Sequence, residues 1–185
     1  MTSQVSAIIH LYVSDNIAER PMPHLTIRSV TIADAEDACW LIEEYYEAVQ
    51  VIARDDRAQI LRYISDPASR ILLAYDDTTP AGCILYRPLP QLGSAGEVKR
   101  LYVRPAFRQR GIAEKLLHAL EQFASTQHTQ WLYLDTTDDL KAAIAFYERH
   151  GYLRCDRYND NPQATIFMRK RLPPITKDST PPDTA

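Results

Sequence analysis

The chain has 185 residues, 45% of them hydrophobic and 24% charged, with a formal net charge of −3. That length supports one domain with a substantial core, and the mildly acidic balance argues against a general nucleic-acid binder. No apolar run approaches the ~20 residues of a membrane helix, and three widely spaced cysteines, Cys39, Cys83 and Cys155, read as reduced thiols of a cytoplasmic protein rather than disulfides or metal ligands.

Residues 1–24 hold a short apolar run and then Pro21-Met22-Pro23. They read as an N-terminal arm, or as a dispensable stretch before an internal start at Met22; they lack the basic n-region and cleavage site of a signal peptide. Leu25 to Val30 alternates like a first strand. Thr31 to Asp34 fits a capping pattern before a helix marked by Ala38, Leu41 or Ile42, Tyr45 and Val49. A second helix is expected over Arg54 to Ile64, stopped at Ser65-Asp66-Pro67. Strands follow over Arg70 to Tyr75 and Ala81 to Arg87, then a loop from Pro88 to Gly96. Glu97 to Val103 reads as a strand ended by Pro105. A helix starts near Gln109 or Gly111, with Ile112, Leu116, Leu117 and Leu120 as its apolar stripe. Gln130 to Thr136 reads as a buried strand, and Asp139 to His150 as a helix closed by Gly151. Two strands, Tyr152 to Tyr158 and Thr165 to Arg171, flank Asn159-Asp160-Asn161-Pro162. The proline-rich tail 173–185 reads as disordered. The order β-α-α-β-β-β-α-β-α-β-β predicts an α+β domain over residues 25–172: a three-layer α/β/α arrangement around a mixed, mostly antiparallel sheet of six to seven strands with about four helices.

The turn Arg108-Gln109-Arg110-Gly111-Ile112-Ala113 carries the chemical signal. Free N–H groups and the positive dipole end of a helix start suit phosphate oxygens. Gly111 lets a ligand approach the backbone, and Arg108 and Arg110 add charge. A strand, Arg-Pro, and then R-x-x-G-x-A opening a helix resembles the acetyl-CoA signature of the GNAT N-acetyltransferase superfamily. A second segment, A-A-I-A-F-Y-E-R-H-G-Y, resembles that family's helix offering a tyrosine to the cofactor sulfur.

The resemblance implies an N-acetyltransferase that uses acetyl-CoA, without a metal, on a small-molecule or peptide primary amine, by direct attack in a ternary complex. Leu101, Tyr102 and Val103 would face the pantetheine arm, and Arg108 to Ala113 the phosphates. Tyr147 would protonate the leaving thiolate; its bland alternative is a core aromatic. Glu97, at the head of the central strand, would be the base; its alternative is a strand-end carboxylate paired with Lys99, Arg100 or Arg87. Glu44, Arg87, Tyr158, Asn159 and Asn161 would line the acceptor pocket, each with an ordinary polar-surface alternative. Leu140 stands where the family often places an asparagine on the cofactor arm. No nucleic-acid or membrane partner is expected, although a toxin acting on charged tRNA is a further reading of the same fold. A homodimer is the default assembly. The rival from another class is a non-catalytic acyl-CoA-binding sensor or partner module, which needs the phosphate turn but neither Glu97 nor Tyr147.

Overall fold

A computed structural model describes residues 25–174; the expectations for the arm 1–24 and for the tail from residue 175 lie outside it. The strands are β1 (Leu25–Ser29), β2 (Arg70–Asp76), β3 (Thr79–Pro88), β4 (Ala95–Val103), β5 (Trp131–Thr136), β6 (Leu153–Arg154) and β7 (Ile166–Arg171). The helices are α1 (Ala35–Ala48), α2 (Arg57–Ser65), α3 (Ile112–Thr126) and α4 (Lys141–Arg149). The strands form one seven-stranded sheet in the order β1-β2-β3-β4-β5-β7-β6. Every neighbouring pair is antiparallel except β4 and β5.

The alternation of β-strand side chains divides the core between the two faces of the sheet. One face, with Ile71, Leu73, Cys83 and Leu85, packs against Leu41, Ile42 and Tyr46 of α1 and Ile60 of α2. The other, with Leu72, Ile84, Val98 and Leu132, packs against α3 and takes in Tyr147 of α4. The α3 stripe of Ile112, Leu116, Leu117 and Leu120 is at most 2% exposed, which stabilises the fold by roughly 1.5–3 kcal/mol for each side chain removed from water. Gly96 marks a close approach at the head of β4: a Cβ there would stand 2.1 Å from the Tyr86 ring, so no other residue fits without moving a fully buried tyrosine.

The helix starts lie a few residues inside the expected ones. Asp34 accepts from the N–H and hydroxyl of Thr31, at 2.9 and 2.8 Å, as the capping pattern implies. Asp56 accepts from Gln59 N–H at 2.7 Å and so starts α2 at Arg57 rather than Arg54. The larger correction is the expected strand Tyr152 to Tyr158, which is reduced to Leu153–Arg154. After Cys155 N–H bonds to Phe167 O at 2.9 Å the ladder ends. The Arg157 guanidinium then ties together the carbonyls of Asn161 and Ala164, at 3.0 and 3.1 Å. That staple folds the segment as a loop, and the loop carries Tyr158 and Asn159 to the centre of the molecule.

Candidate active site

β4 and β5 pair only at Ala95↔Trp131, Gly96↔Leu132 and Glu97↔Tyr133. β4 then runs six residues further and β5 three, without pairing to each other. The β4 edge from Val98 to Val103 is therefore left with main-chain groups that β5 does not satisfy, and buried groups of that kind call for another partner. Opening this gap costs β3 its regular register too: a bulge between Cys83 and Leu85 puts one extra residue into β4, where Arg100 adopts φ +58°.

A cavity of about 610 Å3 fills the gap, bounded by Leu101 and Val103 of β4, Asp135 of β5, Tyr147 of α4 and Tyr45 of α1. It continues past Val103, Arg108 and Ala113 into a chamber of about 450 Å3 at the start of α3. It continues past Lys99 and Asp135 into another of about 420 Å3 under the 159–164 loop. The three spaces share lining residues and form one trench across the sheet.

At the α3 end, Gly111 caps the helix with φ +72°, and open space surrounds the position of a Cβ. The first helical bond runs from Lys115 N–H to Gly111 O at 3.1 Å. The N–H groups of Ile112, Ala113 and Glu114 are left as unpaired helix-start donors. Arg108 anchors its Nε to Val103 O at 3.0 Å and lines the chamber. Arg149 lines it too. Arg110 does not: its guanidinium is turned to Asp76 in a two-pronged pair at 2.9 and 2.7 Å.

In mid-trench, Tyr147 is 8% exposed and packs against Phe146 and Tyr152, each with ring centroids 5.4 Å away. Its hydroxyl makes no hydrogen bond among the described residues. Burial, reinforced by Tyr45 and the charge of Asp135, pushes its phenol above the ordinary tyrosine range. The hydroxyl therefore keeps its proton at neutral pH.

At the far end Glu97 is completely enclosed. Oε2 accepts from Arg87 Nε at 2.5 Å, and Oε1 from Tyr158 at 2.8 Å and Asn159 at 3.2 Å. Lys99 Nζ lies 3.6 Å from Oε1. Burial, then the neighbouring Glu97, pushes the Tyr158 phenol up, so it stays a donor. Asp135 stands on the same face of the sheet, two residues past Tyr133 as Lys99 is two past Glu97. Its Oδ2 accepts from Asn159 at 2.6 Å and Asn161 at 3.3 Å. Arg100 is held by Asp55 at 2.6 Å and Tyr46 at 3.1 Å.

The GNAT acetyltransferase family model matches residues 32–152. The chain belongs to that family. It is thus an enzyme that moves an acyl group from coenzyme A to an acceptor. An uncharacterized N-acetyltransferase of Schizosaccharomyces pombe is 29% identical over 146 residues, covering 75% of this chain and 89% of the relative. An IAA acetyltransferase of Azospirillum brasilense is 31% identical over 159 residues, covering 82% of this chain and all of the relative. Among solved structures, a GNAT-family acetyltransferase of Staphylococcus aureus superposes with a TM-score of 0.70 at 20% identity, over 80% of this chain and 99% of that one. The PaiA N-acetyltransferase of Thermoplasma acidophilum, solved with coenzyme A, superposes with a TM-score of 0.64 at 20% identity, over 80% of this chain and 98% of that one.

The acetyltransferase brings most of the expected site residues to the trench: Leu101, Tyr102, Val103, Arg108, Gln109, Gly111, Ile112, Ala113 and Tyr147 in its middle and at the α3 end, and Arg87, Asn159 and Asn161 at the other end. Leu140 lines the junction, where it offers a side chain without hydrogen-bonding groups. Glu97 and Tyr158 sit one layer behind the wall. Glu44 is not brought in: it pairs with Arg104 at 3.1 Å, and its neighbour Tyr45, a helical step round, faces the cavity instead. Asp135 and Arg149 gain a place that sequence reasoning did not give them, and Lys99, expected as a possible partner of Glu97, lines the trench as well. For Asp135 a signal existed: an acid interrupts the apolar run Trp131-Leu132-Tyr133-Leu134 at the carboxyl end of a strand expected to be buried, where open sheets place their ligands.

No helix among the described residues is long and apolar enough to cross a membrane, and no group of three or more His, Cys, Asp or Glu there is placed to hold a metal.

Proposed function

We propose that the chain transfers an acetyl group from acetyl-CoA to a primary amine by direct attack in a ternary complex, with Tyr147 as acid and Asp135 as the proton acceptor facing the amine. The observation that carries this reading is the single trench joining the α3 start to a chamber of charged side chains, with Tyr147 on the wall of its middle cavity and Asp135 where that cavity meets the chamber. The residues present fit the cofactor: unpaired donors at Ile112 to Glu114 and the Arg108 guanidinium suit its phosphates, and the unpaired β4 edge at Leu101 to Val103 suits its amide-bearing arm. When bound it supplies an acetyl thioester whose carbonyl carbon the amine nitrogen attacks as the C–S bond breaks. Tyr147 gives its proton to the departing sulfur, and Asp135 takes the amine proton, directly or through water. Direct attack is supported by the cysteines. Cys83 is fully buried, with its thiol pushed up to about 12 by burial, and neither Cys39 nor Cys155 lines the trench.

Glu97 has a different part in this reading. Enclosed on all sides, it positions Arg87, Tyr158 and Asn159 rather than touching the amine.

Acetyl-CoA at one hundred times its dissociation constant stabilises the native state by about 2.7 kcal/mol. For a chain of this size the melting temperature rises by roughly 5–11 °C. Ala113→Glu abolishes the rise while leaving the unliganded melt unchanged, because an acid in the first turn of α3 suits the dipole but occupies the phosphate chamber. No rise at millimolar acetyl-CoA in the wild type sinks the cofactor assignment.

Asp135→Asn lowers kcat about tenfold at pH 7, the low end of acid–base contributions once partial replacement by water is allowed. The loss recovers by about pH 9, as an amine of pKa ~10.4 begins to deprotonate unaided. A loss that is flat with pH removes Asp135 from proton transfer.

A further inference from the structure

The acceptor chamber holds two charges that its own residues leave incompletely satisfied, and they are of opposite sign. Lys99 is the first. Its side chain is 14% exposed, it lines the chamber, and its ammonium makes no hydrogen bond among the described residues. Its charged neighbour Glu97, at 3.6 Å, already gives Oε2 to Arg87 and Oε1 to Tyr158 and Asn159. Glu97 carries one negative charge against two cations, so one positive charge on this wall is left over. Arg87 commits its Nε to Glu97 and also lines the chamber.

Asp135 is the second. Its Oδ2 is held by the amides of Asn159 and Asn161, while among the described residues none donates to Oδ1 and no cation pairs with the carboxylate. Arg100, the remaining buried cation here, is matched by Asp55 at 2.6 Å. Asp160 also lines the chamber, from the exposed loop. The walls thus offer a cation and an anion across from each other, on neighbouring strands at equal offsets past the last paired positions, Glu97 and Tyr133. An amine without a carboxylate would leave Lys99 unanswered. A ligand carrying both signs answers both walls.

Resting on the acetyl-transfer reading above, we propose that the acceptor is a small amino carboxylic acid: its carboxylate is taken by Lys99 and Arg87, and its ammonium by Asp135, which turns the nitrogen toward the middle cavity that Tyr147 lines. The chamber of about 420 Å3 holds a free amino acid. The pairing selects for the free acid because replacing the carboxylate by a neutral group leaves the Lys99 ammonium desolvated without a counter-charge.

The test uses the full chain with acetyl-CoA, following release of coenzyme A thiol. The acceptors are the common amino acids, each set against its own carboxamide and its decarboxylated amine. For whichever side chain is used best, the free acid is expected to exceed both partners in kcat/KM by about tenfold or more, the scale of a charge-assisted hydrogen bond. Lys99→Met raises KM for the acid about tenfold and brings the ratio toward one, with the acetyl-CoA melting shift as the sign that the cofactor end is intact. A carboxamide or decarboxylated amine used as well as the acid overturns the proposal and leaves acetyl transfer standing. A preference that survives Lys99→Met overturns the assignment of the carboxylate to Lys99. Absence of thiol release with every acid, carboxamide and amine, while acetyl-CoA still raises the melting temperature, overturns the acetyl-transfer reading itself, and this proposal with it.

Discussion

Glu97→Gln destabilises the protein by about 3 kcal/mol, the low end for breaking a buried ion pair, and lowers the melting temperature by roughly 6–12 °C. The low end applies because Arg87, the partner at 2.5 Å, is 37% exposed and turns partly to water once released. The remaining cost is local and hard to relieve. Gln keeps one acceptor oxygen for Tyr158 and Asn159 but sets an NH2 group against the Arg87 guanidinium, donor against donor. Lys99, 14% exposed, loses its nearest counter-charge. Because the donors held by Glu97 also line or support the acceptor chamber, KM for the amine rises together with the fall in stability, and the acetyl-CoA melting shift stays. A base at this position behaves differently: kcat falls a hundredfold or more, the melting temperature hardly moves, and the pH profile of kcat loses its acidic limb. Differential scanning fluorimetry beside a pH series of kcat separates the two. The second pattern gives the base role back to Glu97 and takes it from Asp135.

What the sequence carried and what it could not is visible in these residues. α3 was legible because Ile112, Leu116, Leu117 and Leu120 recur at the helical period, and a period is a local property. The same holds for the Gly111 turn and for Gly151, which ends the α4 segment at φ +83°. The order of elements along the chain followed from the run of strand and helix patterns, and the GNAT resemblance matched that arrangement; which strand neighbours which was not legible. Contacts between distant parts of the chain were not legible. Arg110 looked like a phosphate ligand by its place beside Gly111; its pairing with Asp76, 34 residues earlier, takes its guanidinium elsewhere. Glu44 lost its expected place through helical phase, since Tyr45 and not Glu44 falls on the trench side. The short β6 had a pattern compatible with a longer strand. Its ladder is cut by Arg157, whose bonds to loop carbonyls no propensity describes. The gap between β4 and β5 had no local marker at all, because splaying is a relation between two strands. Once the gap is given, the exposed β4 edge, the fate of Asp135 and the isolation of Lys99 follow from register.

Tyr147→Phe is expected to lower kcat by about 10²–10³-fold, the range for removing a positioned proton donor, with no loss of stability. The two halves of that expectation come from one observation. The hydroxyl makes no hydrogen bond among the described residues, so removing it orphans nothing, and a phenylalanine ring keeps the contacts with Phe146 and Tyr152 at 5.4 Å. Deleting a hydroxyl that no protein group bonds leaves no partner unsatisfied, so its loss is near neutral for the fold. A tyrosine that were merely core would lose nothing in kcat; a hydroxyl bonded to none of the described residues at the wall of the trench is open to a partner that arrives with the substrate. The pH dependence follows with its sign. Burial raises the folded-state pKa of Tyr147 above the ordinary value near 10. The proton is therefore held throughout the physiological range, and the stability linked to it is lost only as pH rises through the alkaline range above 10. Wild-type kcat accordingly shows no alkaline limb from Tyr147 below pH 10, and any limb seen there belongs to another group and persists in the phenylalanine variant. Stopped-time assays of thiol release from pH 6 to pH 10 on both proteins decide the point. A variant that keeps more than half the wild-type kcat removes Tyr147 from the chemistry. In that case the thiolate leaves without a protein donor, as its intrinsic pKa of ~8.5 permits.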